Sequence, residues 1–158
     1  MNLRYLVAWL LLITLAPLVL LQAYRLRRTA IRLPPAQGPR HGSVPAAGAE
    51  LRVLLMGEST VAGVGARNHQ EALSGQLAAA IHGLSARSVV WEAAGLNGMV
   101  ARETADRLVP WVEHRQVDVL ILALGVNDVL ALRSPQQWIA DLRQLVNRLQ
   151  RELQPRVV

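Results

Sequence analysis

Val117 to Leu124 reads VDVLILAL, which after Asp118 is apolar at every position. A strand with one solvated face alternates apolar and polar residues. A strand apolar on both faces belongs in a sheet covered on both sides, as parallel sheets are. Two further runs read as strands: Leu51 to Met56 (LRVLLM), ending at Gly57, and Ser88 to Glu92 (SVVWE). Between the first two, residues 70–83 (QEALSGQLAAAIHG) place Leu73, Leu77 and Ile81 on one helical face. Ala101 to His114 reads as a second helix. Ser134 is positioned as an N-cap with Pro135 at the first helical position. The helix it opens carries Trp138, Leu142, Leu145, Leu149 and Leu153 on one stripe.

Strands therefore alternate with helices over residues 50–158. That pattern predicts the α/β class, a three-layer α/β/α domain around a parallel sheet. Ligands of such sheets bind at the carboxyl ends of the strands. Three glycine-bearing loops fall there: Gly57 to Gly65, Gly95 to Gly98, and Gly125 to Asp128. The last residues, Pro155-Arg156-Val157-Val158, open a fourth strand and stop, which predicts that the domain is incomplete at its C-terminus.

The N-terminal residues obey different rules. Tyr5 to Tyr24 (YLVAWLLLITLAPLVLLQAY) holds no charged side chain. About 20 apolar helical residues span a bilayer core of roughly 30 Å. Tyr5 and Tyr24 sit at its edges, where amphipathic rings favour the interface. Gln22-Ala23-Tyr24 is a poor cleavage site and Arg25, Arg27 and Arg28 follow at once, so residues 1–32 read as an uncleaved membrane anchor rather than a signal peptide. Five arginines lie within residues 25–40, against Arg4 before the helix. The positive-inside rule then places the following domain in the cytoplasm. Residues 33–49 (LPPAQGPRHGSVPAAGA), rich in Pro, Gly and Ala, read as a linker.

The net charge of +6 sits entirely in the first 40 residues, which hold six arginines and no acid. The other eleven arginines are balanced by all eleven acids. The globular part thus lacks the basic excess expected of a nucleic-acid binder, and the basic cluster suits a lipid surface. With no cysteine in the chain, disulfides, thiolate metal sites and thiol catalysis are excluded.

In the first loop, Gly57-Glu58-Ser59-Thr60-Val61-Ala62-Gly63 sets a serine just past a strand. There its hydroxyl reaches the cleft and its N–H can serve an oxyanion. Such a serine is, taken alone, more often a helix cap or turn residue. Gly63-Val64-Gly65 is not followed by the Lys-Ser/Thr of a phosphate loop, and the spacing of a dinucleotide fingerprint is missing. In the third loop, the side-chain amide of Asn127 can aim N–H at the same cleft, or simply close an Asn-Asp turn. In the second, Gly98 lets its backbone N–H approach a ligand closely.

Taken in order, these loops resemble the blocks of the SGNH (GDSL-type) hydrolase family. Gly57-Glu58-Ser59 with Gly63 matches the first block, Gly98 the second, and Gly125-Val126-Asn127-Asp128 the third. The resemblance implies a flavodoxin-like sheet with residues 51–56 between 88–92 and 117–124. It implies an ester hydrolase acting through an acyl-enzyme on Ser59, without a metal or cofactor. The oxyanion donors would be the N–H groups of Ser59 and Gly98 and the Asn127 amide. The partners implied are an ester-containing or lipid-like substrate and the membrane, with no nucleic acid. The chain departs from the family twice. Glu58 stands where an aspartate is usual, and the fourth block, Asp-x-x-His, which supplies the general base, does not occur. His41, His69, His82 and His114 all read as surface residues, and Asp118 starts its strand at the end away from the cleft. A membrane-tethered, non-catalytic binding module is therefore the competing reading.

Overall fold

The computed structural model describes residues 3–112 and 115–157. It divides into two compact units, meeting between Leu33 and Pro34. The first is one helix, α1 (Leu3–Thr29), with Pro17 inside it. Within it, Trp9–Leu26 is long and apolar enough to cross a membrane.

The second unit is the α/β domain. In chain order it contains β1 (His41–Val44), β2 (Glu50–Gly57), α2 (Leu73–Ser85), β3 (Ser88–Gly95), α3 (Ala101–Arg107), α4 (Val109–Val112), β4 (Val119–Ala123), α5 (Val126–Leu130) and α6 (Pro135–Leu153). The sheet order is β1-β3-β2-β4. β2 lies parallel to both neighbours, with Leu54 opposite Glu92 on one side and Leu120 on the other. The expected parallel trio, with residues 51–56 at its centre, is present.

The pleat sends successive residues of β2 to opposite faces. Val53 and Leu55 pack with Val61, Ala78, Val89 and Trp91 on the α2 side. Leu54 and Met56 pack with Met99, Leu108, Leu120, Leu145 and Leu149 on the side of α3 and α6. Each face has its own buried core, which is why the central strand tolerates no polar alternation. α6 begins as its sequence predicts. The Ser134 side chain accepts from the Gln137 N–H, and the Gln137 side chain accepts from the Ser134 N–H, a complete capping box.

Four expectations need correction. Residues 33–49, expected as a linker, include a strand of the sheet: His41–Val44 pairs antiparallel with β3, with Gly42 opposite Trp91. A Cβ on Gly42 would lie 2.6 Å from the buried Trp91 ring. The glycine therefore admits the indole beneath the edge strand. Ala36 N–H also donates to the Ala62 carbonyl, and Gln37 N–H to that of Arg67. The helix expected over 101–114 breaks at Leu108 into α3 and α4. Pro110 has no N–H to give and its ring conflicts with the carbonyl four residues earlier. The third loop is itself a short helix, α5. Finally, His69 is buried, at 2% exposure. Asn68 accepts the Glu71 N–H through its side chain and the Ala72 N–H through its carbonyl, folding the chain sharply ahead of α2. The His69 carbonyl then accepts from the Ser74 hydroxyl and the Gly75 N–H.

Candidate active site

The three glycine-bearing loops all leave the sheet at the carboxyl ends of β2, β3 and β4. Gly57 and Gly95 are register partners at the last rung of their strands. Neither position has room for a side chain. A Cβ on Gly57 would lie 2.3 Å from the Ala123 carbonyl oxygen, and one on Gly95 2.4 Å from the Ala62 nitrogen. The first loop can thus fold back over the sheet end. Its turn is held by the Glu58 carbonyl, which accepts from the Val61 and Ala62 N–H groups, and by Ser59, whose carbonyl accepts from Val64. Ser59 itself is half-buried, and its hydroxyl has no hydrogen-bond partner among the described residues.

Glu58 is 5% exposed. Its two carboxylate oxygens accept the backbone N–H groups of Val126 and Asn127, each at 3.1 Å. These are orphan donors at the start of α5, which a carboxylate satisfies well. The glutamate in the aspartate's usual place therefore braces the first loop against the third. The Asn127 amide nitrogen donates to the Met99 carbonyl at 3.0 Å, joining the third loop to the second. Its second N–H is left for another acceptor. Gly98, next to Met99, is exposed and has φ of +80°, and a Cβ there would meet nothing within 4 Å. Its glycine is required by the left-handed backbone rather than by crowding.

Sequence reasoning missed the role of Asp128. Its carboxylate is buried and accepts the Ala101 N–H, at 3.0 Å for the nearer oxygen, capping α3. The adjacent Asn127-Asp128 pair was the available signal: one faces the second loop, the other the helix that follows it. Through Glu58, Asn127 and Asp128, the loops bearing Ser59 and Gly98 are tied to one short helix.

The histidines do not join this arrangement: no described histidine is hydrogen-bonded to Ser59. His41 is exposed, and His82 Nδ1 lies 2.8 Å from the Arg87 carbonyl oxygen. His114 lies outside the described residues. His69 has its pKa lowered, first by desolvation and then by the charge of Arg40. Its Nδ1 is buried with no partner among the described residues. Asp118 stands at the opposite end of β4, accepting the Arg52 N–H at 3.0 Å and pairing with Arg156 at 3.5 Å.

Among the described residues, two cavities can be compared. One of about 430 Å³ is lined by Arg52, Leu54, Trp91, Glu92 and Arg115, away from the three loops. The other, of about 400 Å³, is lined by Leu124, Gly125, Val126, Asp128, Val129, Arg133 and Trp138. Only the second adjoins the candidate site. Among the described residues no cluster of His, Asp and Glu has the arrangement of a metal centre.

No curated protein matches the chain in sequence. Among solved structures, it is similar to AlinE4, an SGNH-hydrolase family esterase, with 25% identity and a TM-score of 0.59. A single-substitution variant of that esterase gives the same identity and TM-score. The match covers 67% of this chain and 56% of the esterase's, so the chain spans little more than half the length of its structural relative. The fold is that of the SGNH hydrolases. With the family's model matching residues 55–158, the chain belongs to the GDSL-like lipase/acylhydrolase family.

Proposed function

We propose that the domain is the nucleophile-bearing part of a membrane-anchored serine ester hydrolase. Ser59 attacks the ester carbonyl and forms the acyl-enzyme. The N–H groups of Ser59 and Gly98 and the free N–H of the Asn127 amide receive the oxyanion. Donors fixed in advance act where charge develops in the transition state, at little reorganisation cost. The observation that carries this reading is the double bridge from Glu58 to the start of α5 and from Asn127 to Met99. It supports a preorganised oxyanion site rather than three independent turns.

α1 is read as the anchor, with the domain on the cytoplasmic side, because the arginines concentrate after the helix. Serine is a weak nucleophile until a base takes its proton. No Asp-x-x-His occurs in residues 1–158, and no described histidine is bonded to Ser59. These residues alone should therefore turn over esters slowly. The same observation favours the second reading, a tethered module that binds esters without cleaving them.

Chemical rescue separates the two. Folded chain is given p-nitrophenyl butyrate with and without imidazole, and Ser59→Ala serves as the background. Imidazole-dependent turnover above that background supports a nucleophile awaiting its base. Equal rates for the parent and Ser59→Ala at every imidazole concentration support the binding module.

A further inference from the structure

We infer that the cleft end of the domain docks onto the bilayer, with the exposed apolar side chains of α5 and Leu132 seated in the lipid surface. The inference rests on the reading of α1 as an anchor and goes beyond it by specifying which surface meets the membrane.

The tether is short. α1 ends at Thr29, and the Pro34 carbonyl already accepts the Gly65 N–H at 3.0 Å. Five residue steps separate them, about 17 Å when fully extended. The domain is thus held close to whatever surface the helix enters.

The tether attaches at the cleft end of the domain. Gly65 ends the loop that carries Ser59, and Ala36 is bonded to Ala62 in the same loop. β1 then runs antiparallel to β3, away from the cleft. The chain therefore enters the domain at the carboxyl ends of the parallel strands, beside the candidate nucleophile and not at the far side.

The surface at that end is apolar. Val126, Val129 and Leu130 share one face of α5 and are all exposed, and Leu132 just beyond is 91% exposed. Asp128, the only charged residue of α5, is turned inward to Ala101, and Arg133 is paired with Asp141. The face left outward is apolar and uncharged. Contiguous apolar surface of this kind marks a protein or membrane contact. The short tether favours the membrane, and the arginines at the end of α1 and in the tether (Arg25, Arg27, Arg28 and Arg32) suit anionic headgroups.

The absence of native cysteine permits a direct test in the full chain. Leu132→Cys, Leu84→Cys and Leu15→Cys are each labelled with an environment-sensitive fluorophore. They are reconstituted into phosphatidylcholine–phosphatidylglycerol vesicles with nitroxide-bearing lipid. Leu84, 92% exposed near the end of α2, reports the opposite end of the sheet. Leu15 lies in α1 and reports the anchor itself. The expected result is strong quenching at positions 15 and 132 and little at 84. Quenching at 15 with 132 no different from 84 overturns the docking and leaves the anchor standing. No quenching at 15 overturns the anchor, and the docking with it. A blue-shifted but unquenched label at 132 means that protein covers the patch, which also overturns the inference. Val129→Cys repeats the measurement should Leu132→Cys fail to fold by circular dichroism.

Discussion

The carboxylate of Glu58 accepts the backbone N–H of Asn127 at 3.1 Å, across 69 residues of sequence. The residue before the candidate nucleophile thus holds the residue that would polarise its substrate. Glu58→Ala removes this bond and its twin to Val126, leaving two N–H groups unpaired. The expected loss of stability is about 2–4 kcal/mol, and Glu58→Gln should recover roughly half of it. Urea unfolding of the detergent-solubilised chain measures both. A midpoint for Glu58→Ala equal to the parent's would show that α5 stands without the brace.

Asn127→Ala should lower imidazole-rescued, Ser59-dependent turnover by about 10²–10³-fold, as expected for one oxyanion donor. KM should change little, because the bond strengthens only in the transition state. A rate unchanged from the parent's would make Asn127 a tie to Met99 and nothing more.

Gly57→Ala and Gly98→Ala should behave differently. The first pushes a methyl group against the Ala123 carbonyl, with a clash distance of 2.3 Å. A cost at or above the usual 1–3 kcal/mol of overpacking is expected. The second finds open space and incurs only the left-handed backbone, about 1–2 kcal/mol. Thermal unfolding compares them, and a larger effect at Gly98 would contradict the crowding argument.

His69 gives the fold an acid sensitivity. Its folded pKa lies below the ordinary 6.5, so the unfolded chain takes up its proton first as pH falls. Its contribution to stability is intact above about pH 6.5 and declines below it, by no more than about 1.4 kcal/mol per pH unit. Urea midpoints at pH 7.5 and 5.5 should differ less in His69→Gln than in the parent. An identical difference in both would place the acid sensitivity elsewhere.

Deleting residues 1–32 should move the protein from the membrane to the soluble fraction after carbonate extraction. Finding the intact chain already soluble would remove the anchor from the proposed function. Protease protection in intact cells checks the cytoplasmic side separately.

Much of this was legible in the sequence because the relevant forces are local or periodic. Val117 to Leu124 needed only its apolar run to be read as a strand packed on both faces, although as the edge strand β4 it is mostly half-buried, with Leu120 alone fully buried, and Ser134 with Pro135 located α6 to the residue. The misses have tertiary causes. His41-Gly42-Ser43-Val44 carries no strand pattern, and it is extended because the edge of β3 offers it partners. His69 looks like a surface residue until the Asn68 turn carries it inward. Glu58 gave no sign of its reach, since the N–H groups it satisfies lie in the third loop. The candidate site residues Ser59, Gly98 and Asn127 were named from motif order, whereas the bonds that tie their loops together became visible only in the fold.

The central place of β2 has a consequence during synthesis. The Arg52 N–H waits for the Asp118 carboxylate, 66 residues downstream. At about 5–20 residues per second, translation of that interval takes roughly 3–13 s. Throughout it, β2 has at least one unpaired edge, both until β3 is made, and apolar side chains on both faces. A helix captured by the bilayer at that stage would keep each nascent chain apart from its neighbours until β4 arrives to close the sheet.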